Sequence, residues 1–87
     1  MKLYFTPIFL KKLHKSRRSQ PKLAAKIRQS LDDLTDNPNT NSLRLHKLSG
    51  KNGDVWSISL NRSLRLTFTY VPDGILLLNF GKHEEVY

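Results

Sequence analysis

The chain has 87 residues, no cysteine, and 15 Lys or Arg against 7 Asp or Glu, for a net charge of +8 at neutral pH. That length holds one core and one domain, expected to span residues 1–87, and so short a chain buries only about 60 to 65% of its unfolded surface. The lack of cysteine excludes disulfides and thiolate metal sites, while the charge excess points to a polyanionic partner and says nothing about fold.

In chain order, Leu3 to Leu10 is apolar, but Thr6-Pro7 interrupts it, Lys11 and Lys12 follow it, and no small-residue cleavage site of the secretory kind is present. A cytoplasmic protein is expected. No apolar run approaches the roughly 20 residues of a membrane span, so no membrane partner is expected either. Leu3 to Phe5 can supply an N-terminal strand. Thr6-Pro7 is an N-cap and N1 pair for a first helix to about Arg18, and Gln20-Pro21 repeats the signal for a second helix ending near Asn37-Pro38.

Residues 1–31 contain nine Lys or Arg and no acid, yet Leu10 and Leu13, then Leu23, Ile27, Leu31 and Leu34, recur through them at helical spacing. The basic block is therefore a helical hairpin rather than a disordered tail. In the second helix the cations come early and Asp32, Asp33 and Asp36 late, which opposes the macrodipole, so packing of the apolar stripe must hold it.

Beyond Asn39-Thr40-Asn41-Ser42 the pattern changes to period two, with strands expected near 43–48, 54–60, 64–71 and 75–81. Short connections at 50–53, 61–63 and 72–74 make consecutive strands antiparallel neighbours. The fold class is α+β: an N-terminal helical hairpin packed on one face of a four- to five-stranded, mainly antiparallel sheet. Trp56, Ile58 and Leu60, with Leu64, Leu66, Phe68 and Tyr70, should lie under the helices. Ser57, Ser59, Arg65, Thr67 and Thr69 then form a shallow polar surface on the other side.

Two histidines accompany that surface. Alternation groups His46 with Arg44, opposite Leu43 and Leu45, and His83 falls just past the most apolar strand. His14, on a helix among lysines, reads as solvated. With no Cys and no His pair at i,i+4, neither a metal nor a cofactor is expected.

Taken in order, the basic hairpin, the Leu48-Ser49-Gly50 turn, the Trp56-led strand, Arg65, Tyr70-Val71-Pro72-Asp73 and the closing Gly81-x-His83-x-x-Val86-Tyr87 resemble the RelE/ParE toxin superfamily, over nearly the whole chain. The resemblance implies the toxin of a type II toxin–antitoxin system, held inactive in a hetero-oligomer with a cognate antitoxin. RelE-like and YafQ-like members cleave mRNA in the ribosomal A site; ParE-like members inhibit DNA gyrase without nuclease residues.

Arg65 matches the arginine that contacts the scissile phosphate. His46, in His46-x-Leu48-x-Gly50, and His83 match the two histidines of the YafQ-like group, and Tyr87 matches an aromatic residue against a base. Ser57 and Ser59 stand where RelE has paired lysines, which removes the lysine-based version of the chemistry. The resemblance therefore implies a metal-independent endoribonuclease, closest to the RelE/YafQ-like mRNA interferases, with a ParE-like gyrase inhibitor as the alternative.

The chemistry fits these residue types. RNA brings its own nucleophile, the 2′-OH, so two imidazoles can move the protons and one guanidinium can hold the phosphate, each proton-transfer role contributing about 10² to 10⁴ in rate. Arg44, Lys47, Arg62 and Lys82, with Lys11, Lys15 and Arg18 on the first helix, are the expected RNA contacts. Lys12, Arg17, Lys22 and Lys26 are further candidates for rRNA.

Overall fold

The computed structural model describes residues 1–39, 43–48 and 54–86. Thr6 begins the helical hairpin as anticipated. Its hydroxyl accepts the Phe9 N–H at 3.2 Å while Pro7, which has no N–H to lose, takes N1. Helix α1 runs Pro7–Ser19 and α2 runs Pro21–Asp36, with Gln20 as the hinge between them. Gln20 makes no side-chain cap, so only Pro21 fulfils the second start signal.

The buried stripe of α1 is Phe9, Leu13 and Ser16; Leu10, expected inside, is 38% exposed because it sits one position off that stripe. In α2 the stripe is as read, with Ile27, Leu31 and Leu34 buried and Leu23 packed against them.

Five strands follow the order β1-β5-β4-β3-β2, where β1 is Lys2–Phe5, β2 His46–Lys47, β3 Val55–Ser59, β4 Leu64–Val71 and β5 Gly74–Lys82. All pairs are antiparallel except β1 with β5. That parallel pairing requires Gly74: a Cβ there would lie 1.9 Å from the Lys2 carbonyl oxygen. The neighbouring Asp73 accepts from the Tyr4 hydroxyl at 2.7 Å. This bond, then desolvation and the negative charge of Asp73, raises the phenol above its ordinary pKa.

Phe9, Ile27, Leu34, Ile58, Leu66, Phe68, Ile75 and Leu77 form a fully buried centre between helices and sheet. Phe9 links the layers, its ring 5.6 Å from that of Phe5 and 5.1 Å from that of Phe80. Tyr70, expected under the helices, is 44% exposed and stands edge-on to Trp56 and Phe68, where the sheet outruns its helical cover.

The expected strand 43–48 shrinks to two residues because Arg44 takes a φ of +50°. A left-handed residue costs about 1–2 kcal/mol without glycine and ends the period-two alternation, so Arg44 and His46 do not share a strand. Leu43 is instead buried in the core. The expected connection at 50–53 lies outside the described residues. Among the described residues no helix is long and apolar enough to cross a membrane.

At its outer edge β5 outlasts β1, which turns into α1 after Phe5. Two side chains of the α1 segment take over the missing pairing: the Thr6 hydroxyl donates to the Leu78 carbonyl at 2.7 Å, and the Lys12 ammonium donates to that of Phe80 at 2.9 Å. Leu78 is the extra residue of a bulge, since Thr67 pairs with Asn79 but Phe68 with Leu77.

Candidate active site on the uncovered sheet face

His46 pairs with Ser57 on β3, and Ser59, two residues further, pairs with Arg65 on β4. Paired residues share a face, as do residues two apart on a strand, so His46, Ser57, Ser59, Arg65 and Thr67 lie on the side opposite the helices. From strand spacing and rise, the α-carbons of His46 and Arg65 are roughly 12 Å apart, with β3 between them. Ser57 and Thr67 are 0% and 2% exposed. The expected shallow polar platform is thereby corrected in part: Ser57 and Thr67 are buried, while Ser59, Arg65 and Thr69 are half-buried.

The β3–β4 hairpin turn fixes Arg65. Asn61 Oδ1 accepts the backbone N–H groups of Ser63 and Leu64, both at 3.0 Å, which tightens the turn and sets the register. Ser59 then faces Arg65; Arg65 Nη1 donates to Ser59 Oγ at 2.7 Å, and that hydroxyl donates to the Asn61 carbonyl at 2.9 Å. One guanidinium N–H is used for orientation. Among the described residues Arg65 enters no ion pair, so its charge is not neutralised by a neighbouring carboxylate.

His46 is exposed, with Nδ1 3.2 Å from the Arg44 carbonyl. A carbonyl only accepts, so the bond exists when Nδ1 carries the proton, and the neutral ring then presents its lone pair on Nε2. The left-handed turn at Arg44 aims this carbonyl.

His83 opens a single helical turn, α3 (His83–Val86), two residues after Gly81, the residue paired with Arg65. Because α3 packs on β4 and β5, Arg65 and His83 occupy the same end of the sheet, while His46 approaches from two strands away. Tyr87 lies outside the described residues.

Arg62 is exposed in the hairpin turn, and Lys82 is exposed where it pairs with Leu64, so both flank that end. Arg44 is exposed, and Lys47 is ion-paired to Asp54 at 3.0 Å. Lys11, Lys15 and Arg18 are exposed on α1, as is His14. Lys12 is committed to the β5 edge. Ser59 and Asn61 are the participants that residue type alone does not reveal; counting back from Asn61-Arg62-Ser63 as a hairpin turn finds Ser59 opposite Arg65.

No protein-family model matches the sequence, and no curated protein matches it. Solved structures do match in shape. A YoeB/ParE toxin from Agrobacterium tumefaciens superposes with a TM-score of 0.83 at 16% identity, over 95% of this chain and 99% of that one. The YoeB-YefM complex from Staphylococcus aureus gives 0.82 at 19% identity, over 95% and 97%. YafQ from E. coli gives 0.81 at 11% identity, over 99% and 97%. Two helices on a five-stranded mixed sheet, matched end to end in this way, are the RelE/ParE-like toxin fold.

Proposed function

We propose that this protein is the toxin of a type II toxin–antitoxin pair and that it cuts mRNA on the ribosome, in the cytoplasm, without a metal or cofactor. The observation that carries the reading is an arginine oriented by a hydroxyl and, among the described residues, in no ion pair with a carboxylate, on the same uncovered face as a histidine whose Nδ1 lies 3.2 Å from a backbone carbonyl. The fold shared with YoeB and YafQ, the latter also solved as a DinJ-YafQ complex, supports the toxin class and an antitoxin partner.

In the proposed reaction His46 Nε2 removes the 2′-OH proton, and the 2′-oxygen attacks the adjacent phosphorus in line. Arg65 holds two phosphate oxygens as charge accumulates on them. The P–O5′ bond breaks, the His83 imidazolium protonates the leaving 5′-oxygen, and a 2′,3′-cyclic phosphate remains. Tyr87 stacks on a base, a common way of holding unpaired RNA. Arg62 and Lys82 bind flanking phosphates, as do Arg44, Lys47, Lys11, Lys15 and Arg18, which makes binding fall steeply with salt.

The test is a reconstituted translation system supplied with the purified protein. Cleavage of ribosome-bound mRNA leaving cyclic phosphate ends is the expected result, reduced about 10² to 10⁴-fold in His83→Gln. Intact mRNA together with inhibited gyrase supercoiling would overturn the nuclease reading in favour of the ParE-like one.

A further inference from the structure

Helix α3 carries His83 and packs on β4 and β5 at the end of the sheet. A single turn is far below the length at which a helix sustains itself, and none of its residues is buried. One tether is Glu85. Glu85 Oε1 accepts the Lys82 backbone N–H at 3.2 Å, its Cδ lies 3.2 Å from where a Cβ on Gly81 would stand, and its Oε2 is 3.8 Å from Lys12 Nζ.

Lys12 is itself pinned to β5. Its ammonium donates to Asn79 Oδ1 at 2.8 Å and to the Phe80 carbonyl at 2.9 Å, and it lies 5.8 Å from the centre of the Phe80 ring. Two of its three N–H bonds are used on the strand, and the third direction remains for Glu85. The side chain that completes the edge of β5 thus also reaches the turn that follows β5. Lys12 and Glu85 form one wall of a 490 Å³ cleft between the α1–α2 corner and the end of the sheet.

We propose that Lys12 and Glu85 are positioning residues that seat α3 and thereby aim His83 at the phosphate held by Arg65. The proposal rests on the nuclease reading for its consequence in catalysis, and on geometry alone for the seating of His83. The pair is partly exposed, at 31% and 49% of its side-chain surface, so screening keeps its stabilisation small. Its importance is orientation, since a displacement of about 1 Å at a reacting group is enough to cost up to 10²-fold in rate.

The experiment compares Lys12→Met, Glu85→Gln and Lys12→Arg in the full chain, by NMR of the imidazole nitrogens and by single-turnover cleavage of ribosome-bound mRNA. In Lys12→Met and Glu85→Gln the His83 signals shift and broaden while those of His14 stay in place. The cleavage rate at saturating ribosome falls about tenfold with the half-saturating concentration unchanged, and Lys12→Arg retains most of the wild-type rate.

His83 signals that do not move in folded Glu85→Gln would overturn the seating, and signals that move with no loss of rate would overturn the link to catalysis. Should Lys12→Met fail to fold, Glu85→Gln decides alone. If the wild-type protein cuts no RNA, the nuclease reading falls, and the His83 spectra still decide whether α3 is held as described.

Discussion

The outer edge of β5 and the uncovered face of β4 handle charge and hydrogen bonding in opposite ways. Where β5 outruns β1, the Leu78 and Phe80 carbonyls each meet a donor from the α1 segment, and the Lys12 ammonium contacts three oxygens. On the uncovered face Arg65 is steadied by one neutral hydroxyl and pairs with no acid among the described residues. The first arrangement commits a cation to structure; the second leaves one without a carboxylate partner among the described residues. The comparison shows why a basic sequence cannot be read as a uniformly basic binding surface: lysines a few residues apart on one helix have different employment.

Substitutions can break that contrast. The largest effect is expected at the open face: Arg65→Ala lowers the single-turnover cleavage rate about 10² to 10³-fold, equivalent to about 2.7–4 kcal/mol of transition-state stabilisation. The melting temperature should be nearly unchanged, because Ser59 keeps its bond to the Asn61 carbonyl. A comparable loss of stability would assign Arg65 to structure instead.

On the other side, Gly74→Ala is expected to destabilise by roughly 2–3 kcal/mol in denaturant titration, since the methyl group meets Lys2 and displaces β1. An unaffected midpoint would mean that β1 contributes little to the fold. The smallest change has the opposite sign. Ser30 is 1% exposed and its hydroxyl has no hydrogen-bond partner among the described residues, so Ser30→Ala should stabilise by about 1 kcal/mol, as removal of an unsatisfied buried donor does. Thermal unfolding that shows a loss there would point to a partner for the hydroxyl.

Much of the scaffold is legible in the sequence. Thr6-Pro7, the Leu23-Ile27-Leu31-Leu34 stripe and the alternation of β3 and β4 are local patterns, and local patterns report which side of an element faces apolar surroundings. The structure departs from these patterns where a neighbour in space overrides them. Leu10 was displaced by Phe9 as the residue that meets Phe80, and Arg44 left the strand by adopting a left-handed conformation. Tyr70 stayed polymer-like in its alternation yet emerged beyond the helices.

The candidate site was legible by residue type and only partly by position. That Arg65 shares a face with His46 follows from parity along strands, a property of the chain itself. Its orientation by Ser59 depends on the hairpin register, which the Asn61 side chain sets.

The amino-acid sequence by itself determined the element types, the segregation of apolar and polar faces, the cationic excess and the supply of imidazole and guanidinium groups, because each follows from side-chain chemistry and short-range periodicity. Only the tertiary structure decided which cations remain available and which are consumed. Lys12 meets Asn79 and Glu85 across 67 and 73 positions of chain, and no local rule links residues so distant until β1 lies down beside β5 and carries α1 to its edge.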